Sequence, residues 1–220
     1  MKTISILSQK GGAGKTTLAI NLAGAAEATG KQAVIIDLDP QASAKAWYDR
    51  RGKESPVVIS AQAVVLSDVL RTADEHGADV AIIDTAPHSE TAALAAGKAA
   101  DLILVPCRVS YVDLKAIETT IDLVRIARKP ALFVLTCIRP GDKTLPNSAE
   151  THLSQFSIPV SPQRITQRAA FVHALTAGQS VTEFEPEGVA AREIRELFTI
   201  ACNHDSMMTS WHDLKETVNA

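Results

Sequence analysis

Apolar residues fall in short unbroken runs along this chain: 3–8, 32–37, 57–60, 79–84, 101–106 and 131–138. Runs of that length match strands, and strands with both faces covered read as continuous apolar stretches instead of alternating ones. The longer segments between them read as helices: 15–29, rich in Ala and Leu and closed by Gly30, then 42–51, 61–76, 91–99 and 112–128. Residues 139–147 carry Pro140, Gly141 and Pro146 and predict a loop. A helix near 148–156, a short strand near 158–160 and helices near 167–177 and 186–201 complete the pattern. Strands and helices alternate throughout. That predicts an α/β fold: an open, mostly parallel, twisted sheet with helices on both faces.

Composition narrows this picture. A chain of 220 residues with 46% hydrophobic residues can bury one sizeable core, and only 4% aromatics leaves that core to aliphatic side chains. Residues 1–202 read as a single domain. Residues 203–220 change composition and read as a loosely attached tail, in which Met207, Met208, Trp211, Leu214 and Val218 would share roughly one helical face. A net charge of -3 excludes a polycation, so any nucleic-acid contact needs a local basic patch. Cys107, Cys137 and Cys202 are far apart without a C-x-x-C, which points to reduced structural thiols in a cytosolic protein. The chain enters a strand at once, and no run reaches about 18 apolar residues. Neither a signal peptide nor a transmembrane helix is expected.

The chemistry begins where the first strand meets the first long helix, at Lys10-Gly11-Gly12-Ala13-Gly14-Lys15-Thr16-Thr17. Glycines there let backbone N–H groups curl around phosphate oxygens, and the helix N-terminus adds partial positive charge. Lys15 would reach the β- and γ-phosphates, and the Thr16 hydroxyl would ligate Mg²⁺. The common G-x-x-x-x-G-K-[ST] spacing is not met, because its first glycine would fall where Gln9 stands. An added lysine, Lys10, precedes the glycines instead. Two apolar runs end in acids, Ile36-Asp37-Leu38-Asp39-Pro40-Gln41 and Ile83-Asp84-Thr85-Ala86-Pro87. At the carboxyl ends of parallel strands these acids would lie near the cradle. One such acid alone reads as a cap on a strand or helix; in this order behind a P-loop they point to handling of magnesium and water.

The lysine ahead of the glycines resembles the deviant Walker A motif of the ParA/MinD family of ATPases, and Asp37-Leu38-Asp39-Pro40-Gln41 resembles its switch I. The resemblance implies a P-loop NTPase fold and an ATPase that uses ATP and Mg²⁺ and closes as a homodimer around the nucleotide. It gives Gly11, Gly12, Ala13, Gly14, Lys15, Thr16 and Thr17 to nucleotide binding. Thr16, Asp37 and Asp84 go to the metal and its water shell, and Lys10, Lys15 and Asp39 to catalysis. Lys10 would act on the phosphates of the other subunit, and Asp39 would position the attacking water. Val105-Pro106 and residues 108–113 resemble the family segment near the dimer interface.

Toward the C-terminus, Gln163-Arg164-Ile165-Thr166-Gln167-Arg168 is similar to the end of ParA-type partition proteins, which implies that Arg164 and Arg168 touch DNA phosphates without reading sequence. If that stretch is helical, the two share a face; a salt-bridged face is the other reading. Arg192 and Arg195, flanked by Glu193 and Glu196, read more readily as salt-bridged. Together these imply a cytoplasmic, nucleoid-associated DNA-segregation ATPase for plasmid or chromosome partition. It would be of the short type and work with a DNA-binding, ParB-like adaptor. Two other readings compete. A MinD-like membrane-cycling ATPase would end in a basic amphipathic helix, but in 203–220 Asp205, Asp213 and Glu216 outweigh Lys215, a net charge of -2, so membrane binding is not expected. A metabolic P-loop enzyme would need a dedicated substrate motif, and none stands out.

Overall fold

A computed structural model describes residues 1–204. Among them, strands β1 (Lys2–Ile6), β2 (Ala33–Asp37), β3 (Val57–Ser60), β4 (Val80–Asp84), β5 (Leu102–Arg108) and β6 (Ala131–Thr136) form one sheet. Its order is β3-β2-β4-β1-β5-β6, with every pairing parallel. The helices are α1 (Lys15–Ala28), α2 (Ser43–Arg51), α3 (Leu66–Glu75), α4 (Glu90–Ala99), α5 (Tyr111–Lys115), α6 (Glu118–Ala127), α7 (Thr144–Leu153), α8 (Ala169–Thr176), α9 (Val181–Phe184) and α10 (Val189–Cys202). This is the expected α/β arrangement. No helix among the described residues is long and apolar enough to cross a membrane.

The strands are apolar on both sides because helices cover both sides. Ile4, Ile6, Ile35, Ile82 and Leu104 join the core that holds α1 and α10. Their neighbours point the other way: Ile103, Val105 and Phe133 meet Ile121 and Val124 of α6, while Ile36 and Ile83 meet Leu66 of α3 and Ala96 of α4. α1 lies between the sheet and the α9–α10 pair and is apolar all round for that reason. Gly24 marks the closest approach. A Cβ there would lie 2.4 Å from Ser180 Cβ, so a side chain would push α9 off α1.

Several boundaries differ from those expected, each for a local reason. α7 begins at Thr144, inside the stretch assigned to a loop, because Pro146 falls in the first turn where no N–H is needed. The helix expected over 112–128 divides at Ala116-Ile117, where the Ile117 N–H bonds the Leu114 carbonyl (3.2 Å) and tightens the turn. The helix expected from 61 starts as a 3₁₀ turn, Ala63–Val65, ahead of α3. The strand near 158–160 shrinks to one bridge, Val160 with Phe133. α9 was not expected. It is set by a capping box between Ser180 and Glu183. The tail beyond His204, with its apolar stripe, lies outside the described residues.

Candidate nucleotide site

β1 ends at Ile6, and the chain turns over the carboxyl edge of the sheet into α1. Gly12 (φ 75°) and Gly14 (φ 92°, the N-cap of α1) hold left-handed conformations that glycine adopts without strain. A Cβ at Gly11, Gly12 or Gly14 would meet nothing within 4 Å, so these residues border open space. Gln9 answers a different need. It is buried, and its N–H donates to Thr120 Oγ1 of α6 (3.1 Å), so the loop is anchored where the common motif would have glycine. On the far side Thr136 Oγ1, at the end of β6, donates to the Ala13 carbonyl (3.0 Å). Lys15 is buried and spans the loop, with Nζ donating to the Lys10 carbonyl (3.1 Å). Burial lowers its pKa, and the Asp84 and Asp39 carboxylates pull the other way. Thr16 and Thr17 sit half-buried in the first turn of α1.

Strand register brings the acids to the cradle. Asp84 pairs with Ile6 on one side and with Asp37 on the other. Asp84 is fully buried, and neither carboxylate oxygen has a hydrogen-bond partner among the described residues. Burial raises its pKa to about 7; the nearby Thr16 hydroxyl and Lys15 oppose the rise, and Asp37 and Asp39 add to it. An orphaned carboxylate beside a threonine hydroxyl fits a hard cation such as Mg²⁺, which takes oxygen ligands.

Asp37 is employed differently. Its Oδ1 accepts from the Asp39 N–H (3.0 Å), and its Oδ2 accepts from the Ala44 and Lys45 N–H groups (3.0 and 3.2 Å), so it caps α2. Burial raises its pKa against those bonds. Asp39 follows in a tight turn, its Oδ1 accepting from the Gln41 N–H (2.9 Å). It borders an open cleft of about 810 Å³ between the β2–α2 loop and the β4–α4 loop. His88, in the latter loop, is exposed with φ 57° and takes no part in the cradle.

The two lysines of the motif part company. Lys10 Nζ pairs with Asp113 in the first turn of α5; its side chain is 36% exposed and that of Asp113 9%. Burial would raise the Asp113 pKa, but Lys10 and the Ser110 hydroxyl outweigh it and hold the pKa low. The anchors Thr120, Thr136 and Asp113 escape sequence reasoning because they bond to the loop across separations of 111, 123 and 103 residues.

Arg164 and Arg168 do not share a helix face. The stretch before α8 is not helical, and Arg168 is the extended N-cap of that helix (φ -136°, ψ 142°). Arg164 pairs with Glu150 (2.7 Å) and Arg168 with Glu193 (3.4 Å), the salt-bridged reading of both. Glu193 also accepts from the Thr166 hydroxyl and N–H, which fixes the turn on α10.

A parallel sheet with a glycine cradle at its carboxyl edge and strand-end acids beneath defines a P-loop nucleotide-binding protein. Residues 4–181 match the CobQ/CobB/MinD/ParA nucleotide-binding domain, and the chain belongs to that family. It is 28% identical over 206 residues to the maintenance of carboxysome distribution protein A of Halothiobacillus neapolitanus, covering 89% of this chain and 94% of that protein. It is 25% identical over 236 residues to the chromosome-partitioning ATPase Soj of Thermus thermophilus, covering 90% and 94%. An ATP complex of a McdA variant from Cyanothece has the same fold, with a TM-score of 0.72 at 20% identity over 92% of this chain and 96% of that one.

Proposed function

We propose that this chain is an ATP-hydrolysing positioning ATPase. With ATP and Mg²⁺ it closes as a homodimer, the dimer binds DNA without sequence preference, and an adaptor protein stimulates hydrolysis and release. The observation that carries this reading is the division between the two lysines. Lys15 lies on the cradle, while Lys10 stands beside it on an exposed edge, tied to Asp113. A cation next to its own phosphate site but engaged by an acid of α5 suits the phosphates of a second copy, where it would steady charge as an arginine finger does.

In this reading the N–H groups of residues 11–17 hold the phosphates, and Thr16 and Asp84 hold Mg²⁺. Asp37 supports the metal's water shell from its capping position. When bound there, Mg²⁺ would supply positive charge against the β- and γ-phosphates. Asp39, at the mouth of the cleft, orients the attacking water. The relatives named for carboxysome distribution and chromosome partitioning support a cargo-positioning role; in this reading the chain works on the nucleoid and meets its cargo through a ParB-like adaptor. Arg164 and Arg168 would reach DNA by exchanging Glu150 and Glu193 for phosphates.

Sizing chromatography and filter binding on random duplex DNA test this. ATP should produce a dimer that retains DNA, and retention should fall as salt rises. Lys10→Ala should bind nucleotide normally yet lose both the dimer and the DNA. Failure of the ATP-loaded native chain to retain DNA at low salt would remove the DNA step.

A further inference from the structure

A groove of about 610 Å³ opens at the amino edge of the sheet, between β3 and α3. β3 is the terminal strand, and among the described residues no segment pairs with its outer edge. α3 packs on β2 and β4 through Ala73 against Val34 and Ala81. Val57 and Ile59 of β3 therefore form a wall covered from one side only, and Val57 is 45% exposed. Ala73 and Ala78 make the opposite wall, with His76 at the mouth. Apolar surface beside an open strand edge is what folded chains ordinarily cover.

The described chain ends within reach of this groove. α10 finishes at Cys202, where burial raises the thiol pKa and the nearby charges of Lys31 and Lys2 oppose the rise. Lys2 Nζ donates to His204 Nδ1 (2.9 Å), which places His204 at the amino end of β1. From β1 to β3 is three strand spacings, about 14 Å, a span of about five extended residues. The way leads past the exposed Lys31-Gln32 turn, and Gln32 lines the groove. Met1 adds a 37% exposed apolar side chain on the same edge, held beside α3 by its N-terminus on Asp74 (3.1 Å). Exposed Tyr111, Val112 and Leu145 follow the carboxyl ends of β5 and β6, at the far edge of the sheet from His204.

Residues 205–220 supply a matching sequence. Met207, Trp211, Leu214 and Val218 recur at spacings of four, three and four, with Met208 beside them. Charge agrees as well. Asp205, Asp213 and Glu216 outweigh Lys215 in this segment, and exposed Lys31 makes no ion pair among the described residues. The acids at the rim are already occupied: Asp79 accepts from the Gln32 N–H (2.8 Å) and Glu27 from the Ala33 N–H (3.1 Å).

We infer that residues 205–220 fold back across the amino edge of the sheet and seat Trp211 and its apolar neighbours in the groove between β3 and α3 of the same molecule. The segment closes the open edge of β3. This does not rest on the partition reading.

Trp211 fluorescence in the full chain tests it, with Trp211→Phe, which keeps only Trp47, as the spectrum to subtract. The Trp211 emission of the native chain should be blue-shifted and shielded from acrylamide at every protein concentration. Val57→Lys puts a charge on the groove wall at an exposed edge position, where lysine is well tolerated. It should shift the Trp211 emission to the red and raise its quenching several-fold, with ADP binding unchanged. Thr72→Arg, on the α3 side of the groove, should do the same. An exposed Trp211 in the native chain overturns the proposal. So does shielding that survives both substitutions, because the segment then packs elsewhere. Shielding lost on dilution would give the groove to a second copy, and shielding that requires phosphatidylglycerol vesicles would give the segment to a membrane; either result also overturns the proposal.

Discussion

Asp84 is the residue whose chemistry the protein's own groups leave unfinished. It is buried at the end of β4 with both oxygens unpartnered, and burial lifts its pKa from 3.8 to about 7. Between those values the folded chain keeps a proton that the unfolded chain has lost. This contribution to stability is therefore complete below about pH 4 and is lost as pH rises through about pH 7. Asp84→Asn should raise thermal stability at about pH 8 by an amount on the order of 1–3 kcal/mol and change little at about pH 4. Thermal melts across that range check it. A cation needs the carboxylate, so binding must release the proton. Magnesium-dependent nucleotide affinity should then climb as pH rises, by up to about tenfold per unit, and level off above about pH 7. Calorimetry on the native chain should show that slope, and Asp84→Asn should lose both the slope and the metal dependence. The position of this acid was legible, since an apolar run ending in Asp after a P-loop is a sequence pattern. Its orphaned state was not, because burial on all sides is a property of the assembled sheet. Asp37 shows the converse: the strand-end acid was legible, but the three N–H groups it accepts come from the loop and helix that follow, and only their geometry reveals them.

At the scale of elements, α9 shows how four residues can hold a surface together. Ser180 and Glu183 cap the helix, the Asn21 side chain of α1 accepts from the Val181 N–H (2.8 Å), and Glu183 receives Arg51 from α2. Arg51 is almost fully buried, so removal of its partner would strand a charge in the interior. Glu183→Gln should cost about 3 kcal/mol at neutral pH. Burial alone would raise the Glu183 pKa, but Arg51, the Ser180 N–H and Lys53 bring it down to about 2 from 4.5. The stability it confers is thus present above about pH 4.5 and is lost as pH falls through about pH 2. Denaturant titrations of the native and Gln forms should differ fully at pH 7 and converge in acid. The S-x-x-E signature at Ser180 is present in the sequence, but four residues between two longer helices read as a connection. The break at Ala116-Ile117 had no such signature: neither proline nor glycine marks it, and it arises where α5 and α6 settle onto different parts of the core. The strands were readable from their apolar runs, clearest in β2, β4, β5 and β6, which are buried on both faces; β3, at the sheet edge with Val57 and Ser60 exposed, was legible only as a brief run.

At the scale of the whole molecule, the question is what a second copy would have to undo. Lys10 is committed to Asp113, an acid kept ionised by the lysine itself and by Ser110. If Lys10 serves the phosphates of another copy, that pair must open in each subunit as the dimer closes, and its cost is subtracted from the dimer's affinity. The pair is half exposed on the lysine side, which places it in the range of about 0.5–1 kcal/mol. A symmetric dimer opens two, so the penalty is about 1–2 kcal/mol, or about 5- to 30-fold in the dimer dissociation constant. Asp113→Asn keeps the shape and the Ser110 contact while removing the charge. It should strengthen ATP-dependent dimerisation within that range and leave monomeric nucleotide affinity unchanged, as read by analytical ultracentrifugation and nucleotide titration. Salt should mimic the substitution in the native chain and have no such effect in the variant, because the pair it screens is already gone. A weaker dimer in Asp113→Asn would mean that the acid holds α5 in the shape the second copy needs, and the ion pair would then be a support for the interface instead of a brake on it.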